Sequence, residues 1–214
     1  MKEKKQVEYD VICPSRVLQM QVTFPSLNRR LVKESEIIDP PERKVLLPPG
    51  WHMMFFPPRF TDQELASDGY DSLWSPPSPF SRRMWAGGSF DFDLSNPLRV
   101  HDRVKQVTTL ESIDFRSGAM GPTVFVWMKK LIENQNGMAV KEKRCLAYML
   151  PKDEKFVARE NSRSRAANEG DIEKRVTPSA ITLFRYSALT FNSHLIHYEH
   201  NYATRTEGWP RKIY

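Results

Sequence analysis

Residues 192–200 read "NSHLIHYEH", which puts three of the chain's five histidines, His194, His197 and His200, inside seven positions. An imidazole titrates near neutrality and can take or return a proton. Asn192 stands five residues before His197, so a turn leading into a helix could bring an amide and a base to one cavity, the amide holding a water for the base. Metal binding is a second chemistry, since histidines three apart share one side of a helix. Zinc needs further ligands, and neither HExxH nor a Cys-rich set is present, so no metal site is expected. A third possibility is a plain polar turn, with Asn192 or Ser193 capping a short helix. Spacing alone leaves these open.

The elements that must position these side chains follow from the rest of the chain. The preceding run "ITLFRYSALTF" predicts an apolar strand, followed by a turn and a short helix carrying the histidines. Residues 151–178 are polar and charged and predict a flexible linker. The chain is thereby divided into an N-terminal unit over 1–150, the linker over 151–178 and a short C-terminal piece over 179–214. Within the first unit, 98–150 predicts an antiparallel meander. "LRVHDRVKQVTTLESIDFR" is one long strand, "PTVFVWMKKLIEN" is apolar on both faces, and "NQNG" is a hairpin signal at Asn136–Gly137 that leads into "MAVKEKRCLAYML". Gly87–Gly88 marks a bulge or a close backbone approach. Upstream, Pro14 or Ser15 can start a helix that presents Val17, Met20 and Phe24 and ends before Pro25. The proline-dense stretch from Pro40 to Pro79 predicts extended connectors around a short apolar strand "WHMMFF", with His52 either structural or exposed, and Thr61 and Glu64 have capping-box spacing.

Composition bounds the function. A chain of 214 residues with 40% hydrophobic content, five Trp and twelve Phe can bury a core, and no apolar run is long enough to span a membrane. A net charge of +6 and a pI near 9.3 favour acidic partners. No nucleic-acid motif accompanies that charge, so nucleic acid is not an expected partner; coenzyme A phosphates and an acidic carrier protein are. Two cysteines without CxxC spacing point to a reducing compartment. The opening "MKEKKQVEYD" has neither a signal-like nor a transit-like composition, which points to the cytoplasm. Arg82 and Arg83, beside Trp85, read either as an acid-binding pair or as strand-edge charges.

The passage "LFRYSALTFNSHLIHYEHNYATRTEGWP" resembles the hydratase motif of MaoC-like double hot-dog enzymes, in the branch of type 2 3-hydroxyacyl-thioester dehydratases and mesaconyl-CoA hydratase-like proteins. "PPGWHMMFFPPRF", "DGYDSLWSPPSPFSRRMWAGGSFDFDLSNPLRVHDRV" and "VFVWMKKLIENQNGMAVKEKRCLAYM" resemble that branch's first half. The resemblance implies an α+β fold, a hot-dog antiparallel sheet with an incomplete second half. The implied reaction is reversible hydration of a trans-2-enoyl thioester in fatty-acid metabolism. His197 would be the catalytic base and Asn192 the water holder, with His194, Tyr186 and Arg83 toward the substrate. No cofactor is implied; the substrate would be a CoA or carrier-protein thioester, and a homodimer is compatible. The wider family has Asp where Asn192 stands, and an amide can orient water but cannot act as the base. The family's central helix, which supplies backbone donors to the thioester oxygen, has no counterpart before Tyr214. A non-catalytic binding module or remnant is therefore the alternative. The same resemblance implies a mitochondrial location, against the composition of the first residues.

Overall fold

A computed structural model describes residues 4–24, 31–35, 45–118, 121–151 and 177–209. Five antiparallel strands form one sheet in the order β1-β3-β4-β5-β2. The strands are β1 (Lys5–Val11), β2 (Arg82–Phe92), β3 (Arg103–Gly118), β4 (Gly121–Asn134) and β5 (Gly137–Met149). The meander expected over 98–150 is β3–β4–β5, and its β4–β5 hairpin pairs Asn134 with Gly137, a glycine at φ 115°. The strand expected from residue 98 starts only at Arg103. A corner precedes it, with His101 at φ 72°. Buried Asp102 ties that corner, accepting from the Arg99 N–H at 2.8 Å and Gln135 Nε2 at 2.9 Å.

Glycine does two jobs in β2. The register against β5 shifts between Trp85 and Gly87, and a Cβ on Gly88 would overlap the Lys143 carbonyl oxygen. The bulge and the close approach expected there are both present. Strand β1 was not anticipated, because its inward-facing residues are polar. Gln6 accepts from Trp74 Nε1 at 3.2 Å and Glu8 from Gln106 Nε2 at 2.8 Å, while Val7, Tyr9 and Val11 face out.

Helix α1 (Pro14–Thr23) begins at Pro14 and buries Val17 and Met20, each stabilising by about 2 kcal/mol. It packs in a core with Ile12, Val104, Ile132 and Val140. A second core cluster, Trp74, Val124, Val126, Met128 and Tyr148, lies further along the sheet.

Two expected strands are helical. "WHMMFF" forms a 3-10 turn over Trp51–Met54. Gly50 at φ 86° turns the chain, and the Trp51 N–H reaches back to the Pro48 carbonyl at 3.1 Å. Prolines 48 and 49 offer no N–H to a strand partner, and the buried His52, Met54 and Phe55 reach the core from a turn equally well. "ITLFRYSALTF" forms helix α2 (Ala180–Leu189), capped by Ser179 Oγ accepting from the Thr182 N–H at 3.1 Å. Leu183, Tyr186 and Leu189 recur at helical spacing and face the core, while Ile181 and Phe184 stay exposed. The linker expected over 151–178 lies almost entirely outside the described residues. Among the described residues no helix is long and apolar enough to cross a membrane.

Candidate active site

The histidine segment leaves α2 through Phe191 at φ 52°, and the Asn192 N–H closes the helix end on the Ser187 carbonyl at 2.8 Å. Asn192 Oδ1 then accepts from the His194 N–H at 3.1 Å, a local side-chain turn that opens the 3-10 turn Leu195–His197. This bond orients the amide and leaves its Nδ2 directed elsewhere. The His197 N–H donates to the His194 carbonyl at 3.1 Å.

What holds the turn in place is a distant loop. The Leu195 N–H donates to the Asp68 carbonyl at 2.8 Å and Ser193 Oγ to the Gly69 carbonyl at 2.5 Å. Gly69 sits at φ 79°, and a Cβ there would overlap the Ser193 carbonyl oxygen. Glycine is required at this position for both conformation and clearance.

Docking brings the Asp68 carboxylate, 3% exposed, against His194, with Nε2 to Oδ2 at 3.5 Å. Arg83 completes the group. Its Nε donates to Asp68 Oδ2 at 2.6 Å and Nη2 to Oδ1 at 3.3 Å, while Nη1 donates to the Asp71 carbonyl at 2.5 Å. The guanidinium lies over the rings of Tyr70 and Tyr148 at 5.1 and 5.6 Å. Burial lowers the pKa of His194; Asp68 opposes the shift, and His197 and Arg83 add to it. The ring of His194 meets that of His197 edge to face at 5.9 Å, and Tyr202 and Tyr70 flank it at 6.1 and 6.3 Å. A parallel tie secures the end of the segment: Arg82 Nη2 and Nε donate to Glu207 Oε2 at 2.8 and 3.1 Å. Both arginines are thus spent on internal carboxylates, the geometry in which buried guanidinium groups are tolerated.

The structure therefore gathers His194 and Arg83 around Asp68, with His197 packed on the His194 ring. Tyr186 lies apart, packed edge to face at 5.7 Å on Phe24, the residue that follows α1, with burial raising its hydroxyl pKa. His200 is exposed. Asp68, Tyr70, Tyr202 and Glu207 were not singled out from sequence. The one available signal was the Asp68-Gly69 dipeptide, a turn signature that says nothing about which distant segment the turn meets. Among the described residues, no three His, Cys, Asp or Glu side chains converge in a way that could hold a metal ion.

Residues 50–213 match the family model for hydroxyacyl-thioester dehydratase type 2. Two curated relatives agree. The mesaconyl-C(4)-CoA hydratase of Chloroflexus aurantiacus is 34% identical over 166 residues, covering 77% of this chain and 58% of the relative. The mitochondrial hydroxyacyl-thioester dehydratase type 2 of Schizosaccharomyces pombe is 30% identical over 190 residues, covering 78% and 62%. A solved MaoC-like dehydratase superposes with a TM-score of 0.58 at 12% identity, over 98% of this chain and 71% of that one, which supports the α+β hot-dog fold. The fold is that of a MaoC-like hot-dog protein. The chain belongs to the hydroxyacyl-thioester dehydratase type 2 family. It spans about three fifths of the length of these curated relatives.

Proposed function

We propose that the chain forms the hydratase site of an acyl-thioester hydratase/dehydratase of fatty-acid metabolism, which adds water reversibly across a trans-2-enoyl thioester. The observation that carries this is the docking of the Asn192–His197 turn onto the Asp68–Gly69 loop, which fixes His194 beside a buried carboxylate and His197 against the His194 ring in a member of this family. In the hydration direction His197 takes a proton from water as the oxygen attacks the β-carbon and then delivers that proton to the α-carbon. Asn192, with Oδ1 engaged by the His194 N–H, has Nδ2 left to hold that water. His194 and Arg83 act through position, the first packing against His197 and the second fixing Asp68. Tyr186 contributes to the α1–α2 contact that sets where the turn begins. The reaction moves one proton and one hydroxyl and calls on no cofactor. The thioester is carried on coenzyme A or a carrier protein, in keeping with the positive charge, and the named S. pombe relative supports a mitochondrial location.

A second copy of the chain is the proposed partner at β2. The outer backbone edge of β2 has no strand beside it among the described residues, and Trp85, 64% exposed, and Phe90, 40% exposed, stand uncovered on it. Incubating the full chain with crotonyl-CoA and weighing the product tests the function. Gain of one water, lost in Asn192→Ala and His197→Ala, is expected. A folded protein that leaves crotonyl-CoA unchanged at every concentration would favour the binding-module alternative.

A further inference from the structure

Alternate residues of β4 face the inner side of the sheet, and Met128, Lys130 and Ile132 are three of these in succession. Met128 is buried in the second core cluster and Ile132 in the first, so Lys130 stands at the seam between the two. Thr108 of β3 and Glu142 of β5 lie beside it in register. An apolar residue would suit this position better by stability alone, because taking an ammonium out of water disfavours its charge.

Lys130 is nevertheless not sealed in. It is partly exposed and lines a cavity of about 50 Å³ together with Tyr70, Asp71, Arg83 and Arg144. That is room for about three water-sized groups, the size of an acetyl group. The cavity adjoins the candidate active site. Arg83 is bonded to Asp68 beside His194, and the Tyr70 ring lies 6.3 Å from that of His194.

Three carboxylates favour the ammonium, and each is also engaged elsewhere. Glu142 accepts from Arg144 Nε at 2.6 Å, Glu8 from Gln106 Nε2 at 2.8 Å and Asp71 from the Leu73 N–H at 3.2 Å. Burial, reinforced by Arg144, prevails over Glu142, Glu8 and Asp71 and pulls the ammonium down to about 8. About one Lys130 in ten is then a neutral amine near neutral pH, against about one in a few thousand for an ordinary lysine. A lysine desolvated beside another cation is the arrangement that makes an amine nucleophilic.

We propose that Lys130 is a covalent acylation site, its amine taking the acyl group of a short-chain acyl thioester. The hydratase function proposed above enters only as the reason a thioester comes to the neighbouring turn. The ammonium first loses a proton to solvent. The amine nitrogen then bonds the carbonyl carbon, the C–S bond breaks, and the thiol departs with one amine proton, leaving an amide. Arg144 on the cavity wall faces the negative charge that passes through the carbonyl oxygen. The product is neutral, which relieves the burial of a charge at the seam.

The test incubates the full chain with acetyl-CoA and, in parallel, with p-nitrophenyl acetate, a small ester that needs no contact with coenzyme A. Peptide mass mapping then reads acetylation at each lysine over time. With both donors, Lys130 is expected to react about tenfold faster than the exposed Lys5 near neutral pH, its larger share of free amine being offset in part by narrower access. The advantage should shrink as pH rises through about 8, where Lys130 is already the free amine. Arg144→Gln removes a charge that opposes the ammonium and should slow the reaction about threefold near neutral pH. Labelling of Lys130 no faster than of Lys5 with either donor overturns the site. Selective labelling by the ester alone overturns the thioester as donor. Lys130 acetylated selectively by acetyl-CoA in a chain that leaves crotonyl-CoA unhydrated upholds the acylation site and places the failure in the hydratase function.

Discussion

Asp68 is the residue on which the site turns, because its carboxylate answers Arg83 and His194 together and its carbonyl receives the Leu195 N–H. Asp68→Asn keeps the shape and removes the charge that Arg83 requires. A loss of about 3 kcal/mol in urea unfolding is expected, the range for breaking a buried ion pair on one side. Replacing the pair together, Asp68→Asn with Arg83→Met, should recover part of that loss. His52 gives a pH signature of its own. Burial, reinforced by Lys130 and Arg144 and opposed by Glu142, lowers its pKa from 6.5 to about 4. The unfolded chain therefore binds a proton that the folded chain refuses. This contribution to stability is complete above about 6.5 and is lost as pH falls toward about 4, by about 3 kcal/mol in all. Urea midpoints at neutral pH and at about pH 5 should diverge, and the divergence should shrink in His52→Leu. A midpoint equally acid-sensitive in the variant would show that another group carries the effect.

Elements carry the site's geometry, and here legibility in the sequence was uneven. The β4–β5 hairpin, α1 and the bulge in β2 each rest on a local signal: Asn-Gly at a turn, Pro at a helix start, paired glycines in a strand. All three are present. The 181–191 run was misassigned because a short apolar stretch fits a buried strand and a helix equally well, and the Ser179 cap that decides the matter acts through one hydrogen bond. Strand β1 was missed because Gln6 and Glu8 face inward toward polar partners, inverting the usual alternation. Within the site, His194, His197 and Asn192 could be picked out by type and spacing. Asp68 could not, because it lies more than a hundred residues away and only the folded chain shows which segment its loop meets. Gly69→Ala tests that docking. A Cβ directed at the Ser193 carbonyl should displace the turn, moving the His194 and His197 imidazole NMR signals and lowering stability by about 1–3 kcal/mol. Unmoved histidine signals would mean that the loop does not hold the turn.

At the scale of the molecule, the sheet has two different ends. Along β2, Arg82 and Arg83 anchor the histidine segment at one end, while Phe92 at the other borders an apolar cavity of about 320 Å³ walled by Leu47, Pro48, Leu98 and Val140. Between them the exposed edge carries Trp85 and Phe90, so self-association should be sensitive to charge there. Sedimentation of the wild type should show a dimer that Trp85→Lys shifts toward monomer, since a lysine on an exposed strand edge opposes pairing. A wild type that remains monomeric at every concentration would remove the proposed partner. The most direct test of the central claim is crotonyl-CoA hydration by the full chain beside His197→Ala, with unfolding curves showing that both are folded. The expected result is measurable turnover by the wild type and a kcat about 10²–10⁴-fold lower in the variant, the contribution of a positioned general base. Equal turnover by wild type and variant would contradict the assignment of His197 and, with it, the reading of the docked turn as the catalytic site.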